Sequence, residues 1–90
     1  MKSYSVDLTK SAAKEFKKLP KGVKEKILEA LNFLSLNPFS ELLKIKKIKG
    51  SKSLLRIRVG DYRIVYEVEG QKLVVLVIKI GHRKDIYEKL

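Results

Sequence analysis

From Leu54 to the end of the apolar sequence at Ile80, the chain is dominated by Val, Ile, Leu and Tyr, and only two short breaks interrupt it. The breaks are Gly60-Asp61 and Glu69-Gly70, both hairpin-turn signals. They divide the region into three strands, Leu54–Val59, Tyr62–Val68 and Lys72–Ile80, which can pair only as an antiparallel meander. Such a sheet has an apolar face that another layer must cover.

The first half of the chain supplies that layer. Ser3 to Leu8 alternates, with Tyr4, Val6 and Leu8 on one face, and reads as a strand. Thr9 or Ser11 can cap the helix that follows, whose buried stripe is Ala12, Ala13, Phe16 and Leu19. Pro20 and Gly22 interrupt it. A longer helix then runs from about Lys21 to Leu36, with Val23, Ile27, Ala30, Leu31 and Leu34 at the helical period and Asn37-Pro38 as its stop. Phe39 to Ser53 reads as a loop with a short strand, and Arg83–Leu90 as a helical turn. The expected fold is α+β: an N-terminal strand, a two-helix hairpin, then an antiparallel β-meander with the helices packed on one sheet face. Ninety residues make this one domain, 1–90.

Composition removes several classes of function. With no Cys there is no disulfide, no thiolate catalysis and no Cys-ligated metal. The longest apolar run, Leu73 to Ile78, is far short of the ~20 residues of a membrane span. The N-terminus lacks the apolar core of a signal peptide. These features predict a cytoplasmic protein without membrane contact, and nothing in the sequence calls for a cofactor or a metal. The net charge of +11 points at a polyanion. Abundant Lys with a single Met, a single Gln and two Asn also fits a thermophile source.

The cations are not evenly typed. Seventeen of the 21 basic residues are Lys, and the four Arg (Arg56, Arg58, Arg63 and Arg83) all fall in the last 35 residues. Guanidinium is planar, permanently charged and able to grip a phosphate bidentately. With Gly60-Asp61 as a two-residue loop, Val59 pairs with Tyr62, Arg58 with Arg63, and Arg56 with Val65. Three arginines then share one sheet face. Like charges directly opposite are destabilising in an antiparallel pair, so the arrangement suits an anionic ligand better than stability. A two- or four-residue turn at Glu69-Gly70 would add Leu76, Ile78, Ile80 and His82 to the same face; a three-residue turn would reverse that parity. Lys44, Lys46, Lys47, Lys49 and Lys52, just upstream, extend the positive field as candidate polyanion-binding residues.

Three segments carry a family resemblance: Lys49-Gly50; Leu55-Arg56-Ile57-Arg58-Val59-Gly60-Asp61-Tyr62-Arg63-Ile64-Val65-Tyr66; and Val77-Ile78-Lys79-Ile80-Gly81-His82-Arg83-Lys84-Asp85-Ile86-Tyr87. With Ala12, Phe16, Leu19 and Pro20 upstream, the chain resembles the RelE/ParE superfamily of toxins from type II toxin–antitoxin systems, and the RelE-like branch in particular. The resemblance implies an endoribonuclease, an mRNA interferase that cleaves mRNA in the ribosomal A site. The RNA's own 2′-hydroxyl is the nucleophile and no metal is needed. It implies as partners the ribosome, mRNA and a cognate acidic RelB-like antitoxin held in a hetero-oligomer. The family's cationic positions fall on Arg56, Arg58, Arg63 and Arg83, and its C-terminal tyrosine on Tyr87. Relatives often carry Lys where Arg56 and Arg58 stand; Arg exchanges no proton, so charge stabilisation is the role expected at those two positions. His82, the one imidazole, is a secondary candidate for protonating the leaving group. The alternative within the superfamily is a ParE-like inhibitor of DNA gyrase without RNase activity.

Overall fold

In the computed structural model the described residues are 3–48, 50, 51 and 53–82. The order is β1 (Ser5–Leu8), α1 (Lys10–Lys17), α2 (Lys21–Leu36), a 3-10 turn (Glu41–Leu43), β2 (Lys46–Lys47), β3 (Leu55–Val59), β4 (Tyr62–Glu69) and β5 (Val74–His82). The five strands form one sheet in the order β1-β5-β4-β3-β2. β3 through β5 make the expected antiparallel meander, β2 adds to it antiparallel to β3, and β1 joins parallel to β5, Ser5 beside Val74 and Leu8 beside Val77.

Of the two candidate caps, Thr9 holds α1: its side chain accepts the Ala12 N–H. Pro20 precedes α2, where its fixed φ and missing N–H are tolerated, and Gly22 lies inside the first turn of α2 instead of breaking it. The alternating strands and the helical stripes meet in one core. Ala12, Ile27, Ala30, Leu31 and Leu34 come from the helices, and Ile57, Ile64, Tyr66, Val75, Val77 and Ile80 from one face of the sheet. Tyr66 is fully buried, and its hydroxyl donates to the Pro38 carbonyl at 3.0 Å, tying the chain after α2 to the core.

The Gly60-Asp61 loop has two residues, as expected, with Val59 paired to Tyr62 and a positive φ of 62° at Gly60. The β4–β5 connection is a four-residue turn, since Glu69 pairs with Val74. The parity expected downstream nevertheless fails halfway along β5. Glu67 faces Leu76, but Val65 faces Lys79 and Arg63 faces Gly81, because the register shifts between Val65 and Tyr66 and leaves Ile78 as an extra residue. Leu76 therefore stands on the arginine face, whereas Ile80 and His82 stand on the core face. The reason is burial. Without the shift Lys79 would enter the core; with it, Ile80 is buried and Lys79 lies 3.7 Å from the Glu15 carboxylate of α1.

A candidate anion-binding groove on the sheet face

The face opposite the helices is polarised by the pattern of β3 and β4. Arg58 stands directly across from Arg63 next to the Gly60-Asp61 turn. Two residues back along β3, Arg56 lies between Lys46 on β2 and Val65 on β4. Val65 is only 1% exposed. The carboxylates of β4 on the same face, Glu67 and Glu69, are at the other end of the strand, and Glu67 accepts a hydrogen bond from Ser53 Oγ at 3.1 Å. Cations and carboxylates are thus separated along one face.

The cationic end is concave. A groove of about 380 Å³ is lined by Lys44, Lys46, Arg56, Arg58 and Arg63, with Ile57 between them. A second groove of about 430 Å³, lined on its apolar side by Ala30, Leu43, Ile57 and Val59, shares Lys44, Ile57 and Arg58 with the first. The two guanidiniums at the turn are oriented by backbone carbonyls. Arg58 Nε donates to Gly60 O at 3.1 Å, and Arg63 Nη1 donates to Tyr62 O at 3.2 Å. Arg58 is exposed, while Arg56 and Arg63 are half-buried. Among the described residues lining this groove the charged groups are all positive.

The sequence grouped five lysines upstream of the hairpin, and the structure divides them. Lys44 and Lys46 line the groove. Lys47 pairs with Leu55, so it is placed on the other side of the β2–β3 ribbon from Lys46. Lys49 and Lys52 lie outside the described residues, as do Arg83 and Tyr87. His82 is on the core face. It pairs with Tyr62, and the rings meet edge-on with centroids 5.5 Å apart. The bulge therefore separates His82 from the arginine face, where an unshifted register after the four-residue turn would have put it. The direct Lys46–Arg56 pairing was missed because a two-residue strand carries no periodicity; the lysine at every second position, Lys44 and Lys46, is the trace it leaves in the sequence.

The chain is similar to known proteins over nearly its whole length. Residues 6–87 match the family model described as the ParE toxin of the type II toxin–antitoxin system parDE. A protein named toxin RelE3 from Methanocaldococcus jannaschii is 40% identical over 83 residues, covering 88% of this chain and 90% of that protein. The mRNA interferase toxin RelE of Escherichia coli K12 is 32% identical, covering 97% of this chain and 93% of that protein. Among solved structures, the archaeal RelE–RelB complex of Pyrococcus horikoshii OT3 contains a chain with a TM-score of 0.79 and 30% identity, covering 92% of this chain and 98% of that one.

Proposed function

The chain belongs to the RelE/ParE superfamily of toxins of type II toxin–antitoxin systems, and from that premise we propose that it is a ribosome-dependent mRNA endonuclease. The observation that carries this reading is the placing of Arg58 opposite Arg63 in a groove lined by five cations. In-line attack of a 2′-oxygen on the adjacent phosphorus forms the new P–O bond, sheds the 2′-proton and passes through a phosphorane with added negative charge. The bond to the 5′-oxygen then breaks, and that oxygen takes up a proton. Guanidiniums fixed around the phosphorus stabilise the added charge more than the ground state, which is what accelerates the step. Arg63, half-buried and held to the Tyr62 carbonyl, is oriented for this before substrate arrives.

Arg83 joins Arg63 in stabilising the phosphorane, Arg56 and Arg58 orient phosphate, and Tyr87 assists removal of the 2′-proton. The roles of Arg83 and Tyr87 rest on the family match. His82 has no part, since its ring is packed on Tyr62 across the sheet. Chemistry of this kind needs no metal. Among the described residues, the lysines and arginines that line the groove are not ligands for a divalent cation.

A RelB-like antitoxin is the inhibitor. Leu28, Phe33, Leu36 and Phe39 are each at least half exposed and give an amphipathic acidic segment apolar area to cover. Single-turnover cleavage of mRNA on purified ribosomes tests the proposal. The expected result is a cut within the A-site codon whose chemical step neither EDTA nor added Mg²⁺ changes beyond their effects on the ribosome itself. Intact mRNA together with inhibited DNA gyrase supercoiling would instead assign the ParE-like activity.

A further inference from the structure

The register shift in β5 does more than bury Ile80. Glu69 pairs with Val74 and Tyr66 with Val77, and that register continued unshifted would set Ile80 beside Arg63. The extra residue sets Gly81 there instead. Directly paired residues share a sheet face, so one row of the arginine face reads Arg58, Arg63, Gly81 across β3, β4 and β5. A side chain at position 81 would begin about 5 Å from the Arg63 Cβ. Glycine contributes none, and the position is half-exposed. The next row of the same face, Arg56, Val65 and Lys79, carries a side chain at every position.

The strand itself does not ask for a glycine at this place. Glycine weakens a strand interior, because it has no side chain to pack and loses the most backbone freedom on folding. Among the described glycines only Gly50 and Gly60 have a positive φ, so the Gly81 backbone is one that alanine adopts. A strand glycine without a conformational reason marks the close approach of another group. We infer that Gly81 is a positioning residue of the reaction. It keeps the β5 flank of Arg63 clear, so that the reacting phosphate and its ribose come down against the sheet beside the guanidinium. This rests on the endonuclease reading above and deepens it, by adding a residue that works through having no side chain.

The test compares Gly81→Ala and Gly81→Val with Gly22→Ala, each in the full chain. Gly22 lies in the first turn of α2, where an added Cβ meets nothing within 4 Å. All three variants should fold, with urea midpoints equal to or above that of wild type. In single-turnover cleavage of mRNA on purified ribosomes, Gly22→Ala should match wild type. Gly81→Val should slow saturated cleavage by about 10²-fold, the loss that about 1 Å of misplacement brings, and Gly81→Ala should fall in between. The ribosome concentration at half-saturation should stay at the wild-type value, because the flank of one guanidinium is a small part of the docking surface. In an Arg63→Ala background Gly81→Val should cost little further rate, since both substitutions act at one contact.

Cleavage at the wild-type rate by a folded Gly81→Val would overturn the assignment. A lowered urea midpoint for Gly81→Ala would overturn it too, by showing that the fold itself needs the glycine. So would a Gly81→Val loss that multiplies in full with that of Arg63→Ala. A wild-type protein that leaves mRNA intact on ribosomes overturns the endonuclease reading itself. That outcome is distinct from the others, because it shows before any substitution is made.

Discussion

Thr9 Oγ1 donates a hydrogen bond to the Ile78 carbonyl at 3.0 Å, and the same oxygen accepts the Ala12 N–H at 3.1 Å. One hydroxyl therefore caps α1 and fastens β5 at its irregular residue. The Thr9 N–H adds a bond to the Val77 carbonyl at 3.0 Å. Just beyond, where β1 has ended, Glu15 Oε1 accepts the Ile80 N–H at 3.3 Å and covers the exposed edge of β5. The bulge that decides which β5 side chains face the arginines is thus held from the N-terminal side of the molecule.

Thr9→Val keeps the shape of the side chain and removes both hydroxyl bonds. A lost cap costs about 1 kcal/mol, and a part-buried carbonyl left without its donor costs about 1 more. We expect Thr9→Val to lower unfolding free energy by about 2 kcal/mol in urea titrations, and Thr9→Ser to retain most of the stability. Equal stability of Thr9→Val and wild type would show that Val77, Ile80 and Glu15 hold the bulge without the hydroxyl.

These contacts mark where the sequence stopped being legible. Alternation and turn chemistry disclosed the meander, its two-residue loop and the Arg58–Arg63 pairing, because those depend on local residue order. The helical stripe that ends in Leu34 was legible for the same reason. The bulge was not, since Ile78 and Ile80 are both apolar and either fits a core. Lys79 between them carried the signal, as its exclusion from the core forces the shift. β2 was legible only as an indefinite short strand: two lysines pair there because β3 offers an edge, a tertiary cause with no local pattern.

Lys44 adopts a left-handed backbone with φ 49°, a conformation that costs a side-chain-bearing residue about 1–2 kcal/mol. Leu73 shares it at φ 54°, but there the carbonyl accepts the Ser5 N–H. Lys44 instead lines both grooves. Replacing it by glycine relieves the strain, offset by the ~0.5–1 kcal/mol that glycine loses in entropy. Lys44→Gly should therefore be as stable as wild type or about 1 kcal/mol more stable, yet bind RNA several-fold more weakly. Undiminished RNA binding by a stabilised Lys44→Gly would reduce Lys44 to the end of a 3-10 turn.

Burial pushes the Tyr66 phenol up to about 12 from its ordinary 10.0. The folded state thus holds its proton more tightly than the unfolded chain. The stabilisation is fully present below pH 10 and is lost as pH rises towards 12, at up to about 1.4 kcal/mol per pH unit. Tyr66→Phe removes this dependence and orphans the Pro38 carbonyl, for a loss of about 1–2 kcal/mol at neutral pH. Because lysines titrate in the same range, the informative quantity is the difference between wild type and Tyr66→Phe across pH 9 to 12 in chemical denaturation. A difference that stays constant with pH would mean that the phenol ionises alike in both states.

The arginine face makes the sharpest prediction for activity. Losing one aligned transition-state donor typically costs about 10²–10³ in rate. Arg63→Ala and Arg83→Ala should each slow single-turnover mRNA cleavage on ribosomes by that order. Arg63→Lys should restore little, since it keeps the charge and loses the planar fork that the Tyr62 carbonyl orients. Tyr87→Phe should fold and bind as wild type while losing rate, because only the hydroxyl is gone. His82→Gln should cleave at close to the wild-type rate, as its ring faces Tyr62 and not the groove. Circular dichroism on every variant separates a lost reaction from a lost fold. Full cleavage by a folded Arg63→Ala, Arg83→Ala double variant would remove the guanidiniums from the reaction and leave the like-charged Arg58–Arg63 pair without a catalytic explanation.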